Sequence, residues 1–289
     1  VLLGAAATTA CGGRTASGPP AATGTSASGD DEVAAGLTEH HRFHHHGGVT
    51  LFIAMSLDTL GVSTEQHDAV EKIRSDLRSR MEPARTAEQN LLTTLADGLA
   101  AANLDTAKVD AAVAQVGAAA ATVHDASTDA LNQLHAVLTP AERGALVDKV
   151  EAHWAVWQKA NAEDEAGTSH AEGSRLARLG TELDLSPSQL SQIRTNLGTR
   201  SQSLPRLDSK EVAGHLRAFG EAFRSESFDA RSLATARDTN SHLAGWGAAY
   251  MAQFIEAVSP VLGPDQRAKL AQHLREHSAH DPRAPEGSS

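Results

Sequence analysis

One short phrase occurs four times along the chain and constrains its fold more than any other feature: Val62-Ser63-Thr64-Glu65-Gln66, Leu138-Thr139-Pro140-Ala141-Glu142, Leu185-Ser186-Pro187-Ser188-Gln189 and Leu262-Gly263-Pro264-Asp265-Gln266. In each, a small cap-forming residue (Ser63, Thr139, Ser186, Gly263) is followed three places later by Gln66, Glu142, Gln189 or Gln266. That is the capping-box arrangement, in which the cap side chain and the third helical side chain each bond the other residue's backbone N–H. Three of the four place Pro at the first helical position, where its missing N–H costs nothing. Each phrase opens a helix.

The spacing turns helix starts into a repeat. Ser63 lies 76 residues before Thr139, and Ser186 lies 77 before Gly263. Leu104-Asp105 returns as Phe228-Asp229 after 124 residues, the same shift that separates Thr139 from Gly263. Leu131, Leu134, Val137 and Leu138 map at that shift onto Ile255, Val258, Val261 and Leu262. Self-similarity at a fixed period is the signature of repeated units. The expected organisation is two tandem helical units, residues 49–161 and 174–280, joined by an acidic stretch from Ala162 to Gly173 and followed by a disordered tail, 281–289.

Periodicity within the units is helical. Val70, Ile73 and Leu77 follow the first phrase, and Leu190, Ile193 and Leu197 follow the third, on one helix face in each case. Pro83 and Pro205 then predict a break or kink at matching depth. A second segment follows, 87–102 and 209–224, and Asp105 and Asp229 are expected to cap the longest helix of each unit. A last helix, opened by the second and fourth phrases, carries Leu146, Val150, Trp154 and Trp157 in one unit and Leu270 and Leu274 in the other. The fold class is all-α, four helices per unit and no strand. With aromatics at 3%, the core should be aliphatic.

The segment before residue 49 reads differently. Residues 1–11 are apolar and small, ending at Cys11, the single cysteine, and read as a signal-peptide remnant with a lipobox-like end at Thr8-Thr9-Ala10-Cys11. Cys11 is the expected lipidation site, with an ordinary signal peptide and an incidental thiol as the alternative. Residues 12–48 read as a flexible linker, Gly-, Ser-, Thr- and Pro-rich at its start. The expected place is the periplasm or cell envelope, with membrane attachment through an N-terminal lipid only.

The linker ends in the sharpest chemical cluster. His40, His41, His44, His45 and His46 fall within seven residues, each neutral imidazole offering a lone pair to Zn, Cu or Ni, with Glu39 as a possible oxygen ligand. Nothing in the spacing selects one metal, and such a tract is equally a solvated, pH-sensitive linker. His67, His124, His135, His153 and His277 are scattered and read as structural; His153 and His277 stand at the repeat shift and suggest shared packing. Arg74, Arg78, Arg85, Arg194, Arg200, Arg217 and Arg224 could form a basic face for acidic or unfolded chains, but read more simply as helix surface with local ion pairs.

The formal charge of −11 is uneven: 15 acids against 9 bases over 49–160, 4 against none over 161–173, and 13 against 14 over 174–289. No long basic stripe with interleaved aromatics is present, which argues against nucleic acid as a partner. No Gly-rich phosphate loop, nucleophile elbow or His-Glu-x-x-His helix occurs, so no catalytic residue is assigned and no enzyme is expected.

Taken with their context, the four phrases resemble the Leu-Thr-x-x-Gln signature of the Spy/CpxP group of extracytoplasmic stress proteins, which includes zinc-resistance-associated proteins and periplasmic heavy-metal sensors. Leu104-Asp105 and Phe228-Asp229 opening a long helix, and a proline after the first helix, are also similar to that group. None of the phrases matches the signature completely: Val62-Ser63, Glu142, Ser186 and Gly263 depart from it. The resemblance implies curved helical units that pair into a cradle, here expected as an intramolecular pseudo-dimer. It implies an ATP-independent chaperone or envelope-stress protein whose expected partners are unfolded or misfolded envelope proteins and, as a further candidate, a sensor or regulatory protein, with no required cofactor. The alternative is a heavy-metal sensor or scavenger using the His tract, and a third reading is an inert adaptor lipoprotein.

Overall fold

The computed structural model describes residues 49–160, 170–200, 209–233 and 236–279. Cys11, the His40–His46 tract, most of the acidic joint, Pro205 and the 281–289 tail lie outside the described residues. Within them are eleven α-helices, two 3₁₀ turns and no strand. In the first half they are α1 (Val49–Thr59), α2 (Thr64–Arg80), α3 (Glu82–Ala100), α4 (Thr106–Thr122), α5 (His124–Val137) and α6 (Pro140–Ala160). The second half has α7 (His170–Glu182), α8 (Pro187–Arg200), α9 (Ser209–Arg224), α10 (Ala236–Val258) and α11 (Pro264–Ala279), with 3₁₀ turns at Ala230–Ser232 and Ser259–Val261.

The helix starts follow the capping chemistry, and the breaks follow the cores. Pro83 sits in the first turn of α3, just past a break at Met81, whose N–H still reaches the Leu77 carbonyl. Asp105 caps α4, its side chain accepting from the Lys108 N–H at 3.2 Å. Three details differ from the sequence reading. A helix precedes the box in each half, α1 and α7, so the halves exceed four helices. The long helix of the first half divides at Val123 into α4 and α5. Asp229 caps only the 3₁₀ turn Ala230–Ser232, accepting from the Arg231 N–H at 3.0 Å, and α10 begins later, at Ala236.

Among the described residues there are two hydrophobic cores, and each is built by both halves. In one, Leu91, Leu95, Leu99, Val109 and Val116 of α3 and α4 pack with Leu176, Ile193, Ala248, Ile255 and Leu270 of the second half. In the other, Ile53, Val70, Ile73, Leu77, Leu134 and Leu146 of the first half close around Phe223 of α9, with Leu216, Phe219 and Phe228 partly buried against them. Met81 and Val123 lie where the chain passes from one core to the other. Ala84 and Ala126 belong to the second core, while Ala87 and Ala120 belong to the first. The Ser127 hydroxyl lies 4.0 Å from the Met81 sulfur, so the two breaks are neighbours. A straight helix cannot face two cores with one stripe, and a break at each crossing lets it turn.

The halves meet along α4 and α10 and, as extensively, along α3 and α11, while α9 packs on α6. A Cβ added to Gly117 would lie 3.8 Å from the Gly245 Cα, so the two backbones approach closely. Beside it the Ser241 hydroxyl donates to the Gly117 carbonyl at 2.9 Å, across a separation of 124 residues.

Candidate functional site

The four phrases are paired in space. In the first half the Ser63 N–H donates to Gln66 Oε1 at 2.9 Å and the Gln66 N–H to Ser63 Oγ at 3.2 Å, a complete box. Gln66 Nε2 then crosses to the second phrase, donating to Glu142 Oε2 at 2.8 Å and to the Val137 carbonyl at 3.1 Å. Glu142 completes its own box, accepting from the Thr139 N–H at 2.8 Å, while the Glu142 N–H donates to Thr139 Oγ1 at 3.3 Å.

The second half repeats this construction. Ser186 and Gln189 form a box at 3.0 and 3.3 Å, and Gln189 Nε2 donates to Gln266 Oε1 at 2.8 Å and to the Val261 carbonyl at 3.0 Å. Gly263 has no side chain to offer, so only half a box forms there, its N–H donating to Gln266 Oε1 at 2.8 Å. All eight cap residues therefore gather into two clusters, one per half. The clusters differ in charge. Burial pushes the Glu142 carboxyl up, but hydrogen bonds from Thr139 and Gln66 together outweigh it and hold Glu142 below its ordinary value. Gln266 has no charge to titrate.

A second polar group sits between the halves. His135 of α5 and Arg143 of α6 are each only 7% exposed. His135 Nε2 lies 2.9 Å from the Ser225 carbonyl, and Arg143 Nη1 donates to that carbonyl at 2.9 Å while lying against the imidazole nitrogens. The His135 ring stacks on Phe228, centroids 5.1 Å apart, and meets Phe223 edge-on at 5.3 Å. Burial holds the His135 pKa below the ordinary histidine value; the Arg143 charge adds to this and the Ser225 carbonyl opposes it.

The other sequence candidates scatter. His67 is exposed and His124 is buried; His153 is half-buried while His277 is exposed, so the matched pair does not share an environment. The arginines are mostly engaged: Arg74 with Glu71, Arg85 with Glu82, Arg200 with Glu256, and Arg224 with Asp148 and Glu151. Arg194 and Arg217 are exposed. Among the described residues no group of three or more His, Cys, Asp or Glu could hold a metal ion, and no helix is long and apolar enough to cross a membrane.

Sequence reasoning missed Arg143, which immediately follows Glu142 in the second phrase and has Arg267 at the same place in the fourth. Trp246 and Tyr250, which the sequence pattern places as bulk on the apolar face of the long second-half helix, instead stack on each other on α10, centroids 5.5 Å apart, half-buried and outside both cores.

A helical protein, without strands among the described residues and fastened by paired capping boxes, is the class this arrangement defines. A family model described as heavy-metal resistance matches residues 5–145, just under half of the chain, and over those residues the chain is similar to that Spy/CpxP-like, zinc-resistance-associated family. No match was found among curated proteins or among solved structures.

Proposed function

We propose that the protein is a non-catalytic binding protein of the cell envelope, an ATP-independent chaperone in which two Spy/CpxP-like units fused in one chain take the place of a dimer. The observation that carries the fused-dimer reading is the hydrogen bond from Ser241 to Gly117. Its two residues stand at equivalent positions in the repeat, 124 apart, and a residue on a twofold axis meets its own symmetry mate. The reciprocal sharing of the two cores supports the same reading. Clients would be held by apolar contact on the helical surface near this crossing, where Trp246 and Tyr250 are half-exposed in a chain with few aromatics. Lipidation at Cys11 would tether the protein to the membrane.

The test is aggregation of a denatured client followed by light scattering with the full chain present. Suppression is expected, weakened by Trp246→Ala with Tyr250→Ala; no suppression at about tenfold excess over a client held by apolar contact would sink the reading.

A metal-responsive function is the second reading, favoured by the family description and by His40, His41, His44, His45 and His46 lying inside the matched segment. Calorimetry of the full chain with Zn, Cu or Ni, before and after replacing these histidines with Ala, separates the two. Heat lost on replacement supports metal capture, and identical isotherms refute it.

A further inference from the structure

We propose that His135 and Arg143 of the first half, closed on the Ser225–Phe228 segment of the second, form an acid-sensitive latch: protonation of His135 parts the halves at this seam and uncovers the phenylalanine cluster beneath it. The cluster is substantial, since Phe52, Phe219, Phe223 and Phe228 are four of the six phenylalanines in the chain. Their rings lie 5.0 to 5.7 Å apart in edge-on, tilted and stacked pairs, with His135 as the polar edge of the group.

The seam accommodates one positive charge. Arg143 is buried, its Nε has no hydrogen-bond partner, and among the described residues no carboxylate pairs with it. The Ser225 carbonyl is the one acceptor it shares with the imidazole. A neutral ring fits beside the guanidinium; a protonated ring adds a like charge next to it where both side chains are largely withdrawn from solvent.

The elements packed around His135 offer no rescue. On α6, Glu142 is held by Thr139 and Gln66, while Asp148 and Glu151 hold Arg224 of α9. Asp129, on α5 itself, is shared by Arg80 of α2 and Arg231 of the 3₁₀ turn, and Asp229 is bonded to Asn132. Glu226 is exposed, on the solvent side of the segment.

The sign follows from burial. The closed seam lowers the His135 proton affinity, so the open form binds the proton better as pH falls below the ordinary histidine value. Closure is therefore fully favoured at neutral pH and is progressively lost on acidification through the closed-state pKa. The second half has no counterpart: Ser259 stands 124 residues after His135 and does not titrate, and Arg267 donates to the Leu262 carbonyl. Only one of the two junctions responds.

Hydrogen exchange of the full chain, read peptide by peptide at about pH 7.5 and about pH 5.5 with correction for intrinsic rates, tests this in the range where histidines and not ordinary carboxylates titrate. Residues 131–145 and 219–233 are expected to lose protection several-fold at the lower pH, up to the roughly tenfold that one histidine of ordinary pKa can supply between these pH values, while 91–99 and 244–258 keep theirs. Dye binding to exposed apolar surface should rise over the same interval. His135→Gln, and independently His135→Ser, which installs the residue of the second half, should flatten the response. Equal loss of protection in both cores, or an acid response unchanged in a folded His135 variant, overturns the latch.

Discussion

Phe223→Ala tests whether the two halves hold each other's cores. Phe223 belongs to the second half, is fully buried, and sits inside a core whose other buried members all come from the first half. Truncating a buried Phe to Ala costs about 3–5 kcal/mol, the transfer term plus the cavity left behind. The surroundings place this site toward the upper part of that range. Phe223 meets Phe52 at 5.7 Å, Phe219 at 5.6 Å, Phe228 at 5.1 Å and His135 at 5.3 Å, so four ring contacts vanish together. A loss of about 4 kcal/mol is a large share of the roughly 5–15 kcal/mol that stabilises an ordinary domain. It multiplies the opening equilibrium by about a thousand. Urea unfolding followed by circular dichroism gives the total, and exchange gives its location. The decisive peptides cover 64–80, because Val70, Ile73 and Leu77 are first-half residues in the same core. They should exchange faster by two decades or more although the substitution lies in the other half. Wild-type protection over 64–80 in a protein that has lost 3 kcal/mol or more elsewhere would refute the shared core.

Two glycines on α9 give a matched comparison. Gly214 faces open space, so Gly214→Ala should stabilise by up to about 1 kcal/mol through helix propensity. A Cβ on Gly220 would lie 2.7 Å from a methyl of Val147, which is buried on α6, so Gly220→Ala should lose about 1–2 kcal/mol net of the same propensity gain. Thermal unfolding of both checks this, and equal shifts would mean that α9 does not press on α6. At the first cap cluster, the depressed Glu142 pKa stabilises the fold above the ordinary carboxylate value and is lost as pH falls through the folded value. Glu142→Gln, which copies Gln266, should therefore cost about 1 kcal/mol near neutrality and nothing once the carboxylate is protonated. Urea midpoints between about pH 3 and 7 measure the difference, and a parallel offset at every pH would contradict it.

What was legible in the sequence was the local chemistry. Ser63, Thr139, Ser186 and Asp105 satisfy amides within three residues of themselves, so their role can be read from neighbours alone. Pro83 marks its break for the same reason. Helix α1 was not legible because VTLFIAMSLDT is apolar nearly all round, leaving no polar face to set a period, and residues on several sides of it are buried. The break at Val123 has no local cause. It follows from the change of core between Ala120 and Val123, and periodicity tells which face of a helix is buried without telling against what. Arg143 escaped notice because its partner, the Ser225 carbonyl, is a backbone atom 82 residues away.

The spacing of the phrases has a structural meaning that the repeat alone does not supply. The hydrogen bond from Gln66 to Glu142 spans 76 residues and that from Gln189 to Gln266 spans 77, the same intervals that separate the phrases within each half. Each Gln thus serves two ends at once, closing its own box through Oε1 and reaching the next through Nε2. The caps therefore fasten helices within a half, whereas Phe223 and the α4–α10 crossing join one half to the other. These are separable functions. A substitution in a cap cluster should loosen the half that carries it, and one at the shared cores should loosen both. The acid response belongs to the second kind, because His135 sits where Phe223 and Phe228 of one half are covered by α5 of the other.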